Sequence, residues 1–107
     1  MLSAGKIDQA LSFSEQALES SPDDPRLMIQ YARCLNRAGH ENRSESLFLK
    51  ALDKQPGNPA PCLFLGILYY DNLCFDKAID CFGQCLHKDP ENRLASRYRA
   101  LTLYAYG

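Results

Sequence analysis

Residues 59–92 read PAPCLFLGILYYDNLCFDKAIDCFGQCLHKDPEN, and the first half of that stretch sets the structural problem. From Pro61 to Tyr70 there is no charge and no clearly polar side chain. Such a run is too short to cross a bilayer, which takes about 20 apolar residues, and too uniform for a helix with one face in water. A buried strand and a helix covered on nearly every side read alike over ten residues. The surrounding sequence separates them, because alternation at period two is absent over any useful length while helical spacing recurs.

The stretch is one period of a longer pattern. Pro22, Pro56 and Pro90 stand 34 residues apart, and Pro25 and Pro59 keep the same interval. So do Phe48 and Phe82, Ala17 and Ala51, Gly5 and Gly39, Asn58 and Asn92, and the series Leu18, Leu52 and Leu86. A fixed period of this size marks stacked helical or mixed solenoid units. Each period holds two apolar-periodic stretches. Asp24-Pro25 and Asn58-Pro59 read as an N-cap followed by proline at the first helical position, and Asn92 repeats the cap without the proline. The reading is all-α, with six helices at about 6–20, 25–38, 42–54, 59–72, 75–88 and 93–106. Short connections make consecutive helices antiparallel neighbours.

At 107 residues the chain is one domain by length, and 46% apolar with 23% charged residues is globular composition. A formal charge of −1 exerts no general pull toward nucleic acid or anionic membrane. Met1 to Ala4 runs straight into Gly5-Lys6 with no apolar signal-peptide core. Five cysteines, Cys34, Cys62, Cys74, Cys81 and Cys85, form an odd and unevenly spaced set, read as reduced thiols of a cytoplasmic or nuclear, reducing compartment. Cys81 and Cys85 share a helix face near His87, but zinc wants tighter, paired spacing, so no metal and no cofactor is expected. Asn42-Arg43-Ser44 matches a glycosylation sequon and is taken as coincidence. No phosphate loop, nucleophile elbow or nucleophile–base spacing is present, and the chain is read as non-enzymatic. Arg93, Arg97 and Arg99 with Tyr98 and Tyr104 form a weak basic–aromatic signature of RNA contact, diluted by Asp76, Asp80, Asp89 and Glu91.

The pattern resembles the tetratricopeptide repeat family, a 34-residue helix–turn–helix unit with the signature W-x2-L-G-x2-Y…A-x3-F…P. Residues 59–92 carry Leu65-Gly66, Tyr69, Ala78, Phe82 and Pro90 at matching places, and residues 25–58 carry Ala32, Phe48, Ala51 and Pro56. Met28, Cys62 and Ser96 stand where the family often has tryptophan. Ser44 and Ser14 replace an alanine and an aromatic, and Leu73 replaces a loop glycine. The resemblance implies a right-handed superhelical solenoid of antiparallel helix pairs over residues 1–107. Residues 5–24 are then the second helix of a partial repeat, 25–58 and 59–92 full repeats, and 93–107 the first helix of a partial or capping repeat.

It also implies a concave groove. Carried over residue by residue, the groove stripe falls on Arg26, Ile29, Arg33, Asn36 and Arg37, then on Ala60, Leu63, Ile67, Tyr70 and Asp71, then on Leu94, Arg97, Leu101, Tyr104 and Ala105. The expected partner-binding set is Arg26, Ile29, Arg33, Asn36, Arg37, Leu63, Ile67, Tyr70 and Arg97. An apolar centre beside arginines suits a protein or peptide with apolar and acidic residues. Family members that grip chaperone C-terminal tails use a clamp whose places here hold Ile29, Arg33, Phe64, Leu94 and Tyr98, with one basic residue among them. No carboxylate-tail, membrane or nucleic-acid partner is therefore expected. The function so implied is a protein-interaction scaffold or adaptor, a piece of a longer array. The alternatives are an assembly unit that self-associates through its open repeat ends, and a regulatory or targeting segment of a larger enzyme.

Overall fold

Asn58 starts the uncharged run as a helix. Its backbone is extended (φ −79°, ψ 122°), its Oδ1 accepts the Ala60 N–H at 3.0 Å, and Pro59 takes the first helical position. Proline there loses no intrahelical hydrogen bond and arrives with φ already set. Asp24 and Pro25 open a helix the same way, with the Arg26 N–H 3.0 Å from Asp24 Oδ1. Asn92 Oδ1 accepts the Ala95 N–H, also at 3.0 Å. All three caps stand where the sequence puts them.

The computed structural model describes residues 4–107, which form six α-helices and no strand. They are α1 (Ala4–Ser20), α2 (Pro25–Arg37), α3 (Glu41–Lys54), α4 (Pro59–Asp71), α5 (Phe75–Lys88) and α6 (Arg93–Tyr106). No helix among the described residues is long and apolar enough to cross a membrane, and all five cysteines are free thiols. The chain divides into two compact units, one ending at Gln55 with α1 to α3, the other beginning at Pro56 with α4 to α6.

In the first unit α2 packs against both α1 and α3. Met28, Tyr31, Ala32 and Leu35 of α2 and Ser44, Phe48 and Ala51 of α3 form its core. Ser44, which stands where the family has alanine, is fully buried and donates its Oγ–H to the Ala32 carbonyl at 2.6 Å. A hydroxyl without a partner there would carry a desolvation penalty of about 1–3 kcal/mol. Its partner removes that penalty, and it also ties the sequon serine into the core. Tyr31 is buried with its hydroxyl accepting from Arg43 Nη2 at 3.0 Å, the guanidinium 5.8 Å from the ring centroid.

The second unit is held by rings. α4 packs on α5, α5 on α6, and α4 on α6. Phe82 of α5 is fully buried against Gly66 of α4: a Cβ on Gly66 would stand 2.5, 2.7 and 2.9 Å from three of its ring carbons. Tyr98 of α6 stacks on Phe82 (centroids 5.6 Å apart, planes at 23°) and meets Tyr70 edge-on at 5.7 Å. Tyr70 in turn lies 6.0 Å from Phe75. The basic–aromatic RNA signature therefore loses its central ring, since Tyr98 is half-buried in this aromatic chain.

Both helical hairpins turn through a residue at positive φ. After α2 it is Gly39 (φ 89°), with the His40 N–H bonded to the Leu35 carbonyl at 2.8 Å and the Gly39 N–H to the Asn36 carbonyl at 3.1 Å. This is the Schellman arrangement. After α4 the same bonds run from Cys74 to Tyr69 (2.8 Å) and from Leu73 to Tyr70 (3.1 Å), but the residue at φ 63° is Leu73. A side chain in the left-handed region costs about 1–2 kcal/mol, and Leu73 is 74% exposed, so little burial offsets it. The greater unfolded-state freedom of glycine cancels part of the gain. Leu73→Gly is expected to stabilise by about 1 kcal/mol net, raising the melting temperature by roughly 4–8 °C. Calorimetry showing no rise would mean that this turn relaxes without strain.

Cys85 is fully buried, and burial pushes its thiol from 9.0 up to about 11; Cys62 and Asp89 add to the rise and Lys88 opposes it. The unfolded chain releases this proton from pH 9.0 upward, the folded chain only near 11. The folded state thus holds the extra proton in between, and the stability it confers is full below pH 9.0 and lost as pH rises toward 11. The urea midpoint is expected to fall across that window, and to fall less in Cys85→Ala. Equal slopes for the two proteins would remove Cys85 from the account.

Candidate functional site

In the first unit the α2 stripe begins at Arg26, beside the helix cap. Its Nη2 lies 3.6 Å from Asp24 Oδ2, an exposed pair contributing little to stability. Arg33 and Arg37, one turn apart, are exposed and line a cleft of about 170 Å³ with Gln30 and Cys34. Asn36 is half-buried, and Ile29 is withdrawn into the core. α2 thus brings Arg33 and Arg37 together as a cationic surface and keeps Ile29 from the solvent.

In the second unit α4 and α6 carry the stripe. Leu63 is buried, Ile67 and Tyr70 are half-buried, and Tyr70 spends its ring faces on Phe75 and Tyr98. The exposed apolar surface lies on α6, where Leu94 (49%), Leu101 (44%) and Tyr104 (89%) follow one another along a single helical stripe with exposed Arg97 among them. Ala60 is half-buried, and Ala105 is exposed at the stripe's end. Partial desolvation pushes the Asp71 carboxyl above its ordinary range. Tyr98, which the sequence placed outside the stripe, is what holds α6 to its unit through Phe82 and Tyr70.

A wider cleft of about 500 Å³ lies over α5 and α6, lined in part by Asp80, His87, Lys88 and Arg99. Its polar groups include no cysteine or serine that His87 could activate. Among the described residues no three His, Cys, Asp or Glu side chains converge as a metal site would require.

A tetratricopeptide repeat profile matches residues 1–49, and the architecture matches solved domains of that family. Residues 1–49 are thus similar to the tetratricopeptide repeat family, and the fold of the chain is that of the family's solved domains. The first tetratricopeptide repeat domain of Spaghetti (RPAP3), bound to the HSP90 peptide SRMEEVD, is 19% identical, with a TM-score of 0.85 over 95% of this chain and 81% of that one. The Arabidopsis OM64 domain is 16% identical, with a TM-score of 0.86 over 94% of this chain and 84% of that one. At such identities the likeness shows the fold alone. In sequence, the chain is 36% identical over 94 residues to the CTR9 homolog of Arabidopsis thaliana, spanning 86% of this chain but only 8% of that protein's length. Of the signature positions, Gly66 lies against Phe82, and Ala32 and Phe48 are both buried in the first unit. The expectation that this chain does not hold a chaperone tail gains no support from its likeness to a domain that does hold an HSP90 peptide.

Proposed function

We propose that this chain is a non-enzymatic protein-interaction module that holds a partner segment bearing acidic and apolar residues. The observation that carries the reading is the exposed stripe of Leu94, Leu101 and Tyr104 on α6. Burying a leucine is worth roughly 1.5–3 kcal/mol, so leaving two of them and a tyrosine in water forgoes a large gain that a partner can recover. On the same helix Arg97 supplies charge that selects acidic segments, and in the first unit Arg26, Arg33 and Arg37 form a cationic surface of their own for acidic residues of a partner. Asn36, Ile67 and Tyr70 are half-exposed and contribute at the edge of contact, whereas buried Ile29 and Leu63 each support their own helix from beneath. The likeness to a domain that holds an HSP90 peptide supports peptide binding as the use of this fold. In the clamp register only Arg33 is basic, so the proposal favours an internal acidic–apolar segment over a free terminal carboxylate.

Fluorescence polarisation with acidic–apolar peptides and their charge-inverted counterparts tests it. Arg33→Glu with Arg37→Glu is expected to weaken binding of the acidic set by about tenfold or more, equivalent to about 1.4 kcal/mol, with an unchanged melting temperature and an effect that shrinks in salt. Leu101→Asp with Tyr104→Asp is expected to abolish binding. SRMEEVD with a free and with an amidated C-terminus is expected to bind alike. Unchanged binding in both double variants would overturn the proposal, and a strong preference for the free carboxylate would reinstate the tail clamp.

A further inference from the structure

The lysines that close α3 and α5 hold one place in the repeat, 34 residues apart, yet meet different partners. In the first unit Lys54 Nζ lies 3.2 Å from the Asp23 carboxylate. In the second, Gly57 stands where Asp23 does and offers no carboxylate. Lys88 donates to a sulfur instead, its Nζ 3.3 Å from Cys62 Sγ of α4. The Cys62 thiol in turn donates to Gln84 Oε1 at 3.6 Å. A thiol is a weak acceptor, so as a fixed contact this stabilises little. Cys62 is buried, whereas Lys88 is half-buried and Gln84 exposed, so both partners lead from the sulfur toward solvent. All three residues lie within the α4–α5 hairpin.

We propose that Cys62 and Lys88 are a redox-responsive modification site: a hydroperoxide joins them through one oxygen, Sγ–O–Nζ, and the bridge steadies the α4–α5 hairpin until a dithiol parts it. In the first step the sulfur attacks the peroxide, the O–O bond breaks, and Cys62 becomes a sulfenic acid as one water leaves. Gln84 Oε1, which already accepts the thiol hydrogen, is placed to accept the new O–H. Lys88 then reacts as the free amine, its extra proton having passed to solvent. A second peroxide takes two electrons: the sulfenic O–H and one N–H bond break, the O–N bond forms, and two waters leave. Two equivalents of a dithiol return the thiol, the amine and one water. Cys85 is the rival partner for the sulfenic acid. Burial pushes its thiol up to about 11, so near neutral pH it supplies almost no thiolate for a disulfide, whereas Lys88 touches the sulfur. The bridge closes a loop between residues 26 apart in sequence, which restricts the unfolded chain. The site shares no residue with the peptide-binding reading, so either can fail alone.

Hydrogen peroxide titrated onto the whole chain, followed by peptide mass spectrometry with and without dithiothreitol, tests this. The expected product is a pair of peptides linked at Cys62 and Lys88, one oxygen heavier and two hydrogens lighter than their sum, and absent after reduction. The linked chain is expected to melt higher by roughly 5 °C or more, and to lose that gain in dithiothreitol. Lys88→Arg keeps the positive charge without the amine. It is expected to give no link and to let Cys62 run on to the sulfinic acid, with an unchanged far-UV spectrum before oxidation. Cys85→Ala is expected to link as the parent does. A Cys62–Cys85 disulfide, a link without the added oxygen, or a Cys62 that resists peroxide or over-oxidises unlinked in the parent would each overturn the proposal. So would an equal yield of the link in Lys88→Arg, its loss in Cys85→Ala, or a linked chain that melts no higher.

Discussion

Phe82→Ala is expected to lower the stability of the second unit by about 3–5 kcal/mol, the range for removing a buried aromatic from a core that cannot close the void. Whole domains are stable by only about 5–15 kcal/mol, so the loss is a large share of what keeps the unit folded. The size follows from what the ring does at once. It fills the hollow over Gly66, supports Tyr98 by stacking at 5.6 Å, and is itself fully buried. Glycine at 66 offers no side chain that could swing in, and Tyr98 is kept from dropping by its edge contact with Tyr70. Phe82→Leu keeps most of the volume and should cost less than about 1.5 kcal/mol. Urea denaturation followed by far-UV dichroism measures both. A loss below about 1 kcal/mol for the alanine variant would show that the hollow collapses and that the ring is not the wedge between α4 and α5.

Gly66→Ala sets two opposing effects against each other. Alanine in a helix interior gains about 1 kcal/mol over glycine. The added Cβ, however, would stand within 2.5–2.9 Å of three Phe82 ring carbons. A flexible side-chain end would yield cheaply, but this ring is pinned by Tyr98 and has no free space around it. Overpacking of this kind costs about 1–3 kcal/mol, and since three ring carbons are crowded at once the upper end applies, leaving a net loss of about 1–2 kcal/mol. The first unit carries Ala32 and Phe48, both buried, at the repeat positions of Gly66 and Phe82, so the repeat accepts a methyl at that position where the helices are spaced for it. The double variant Gly66→Ala, Phe82→Leu should therefore lose less than the two single variants added together. A stabilised Gly66→Ala would mean that α4 and α5 separate at no cost.

What the sequence makes legible is whatever a residue settles with its near neighbours. Asp24, Asn58 and Asn92 cap the helices that follow them because the donors they satisfy lie two or three residues on. Leu73 is legible as a departure from glycine because the Schellman turn needs a positive φ from whichever residue sits there. The hydrogen bond of Ser44 is not legible in the sequence because its partner, the Ala32 carbonyl, belongs to the preceding helix. Tyr98 is misplaced among surface cations because Phe82 and Tyr70, which claim its ring, lie on other helices. In the stripe, periodicity gives Ile29 and Leu63 an angle around their helix axes but no depth, and both are buried.

The sequence by itself determined the number of helices, their ends and their shared phase, because caps, turns and a 34-residue recurrence are local or repetitive and need no knowledge of neighbours. Tertiary structure alone decided which positions on each stripe meet solvent. How closely two helices approach is set by pairs such as Gly66 with Phe82, and that spacing buries Leu63 while leaving Leu94, Leu101 and Tyr104 open. Burial is a property of the assembled packing, and no residue carries it alone.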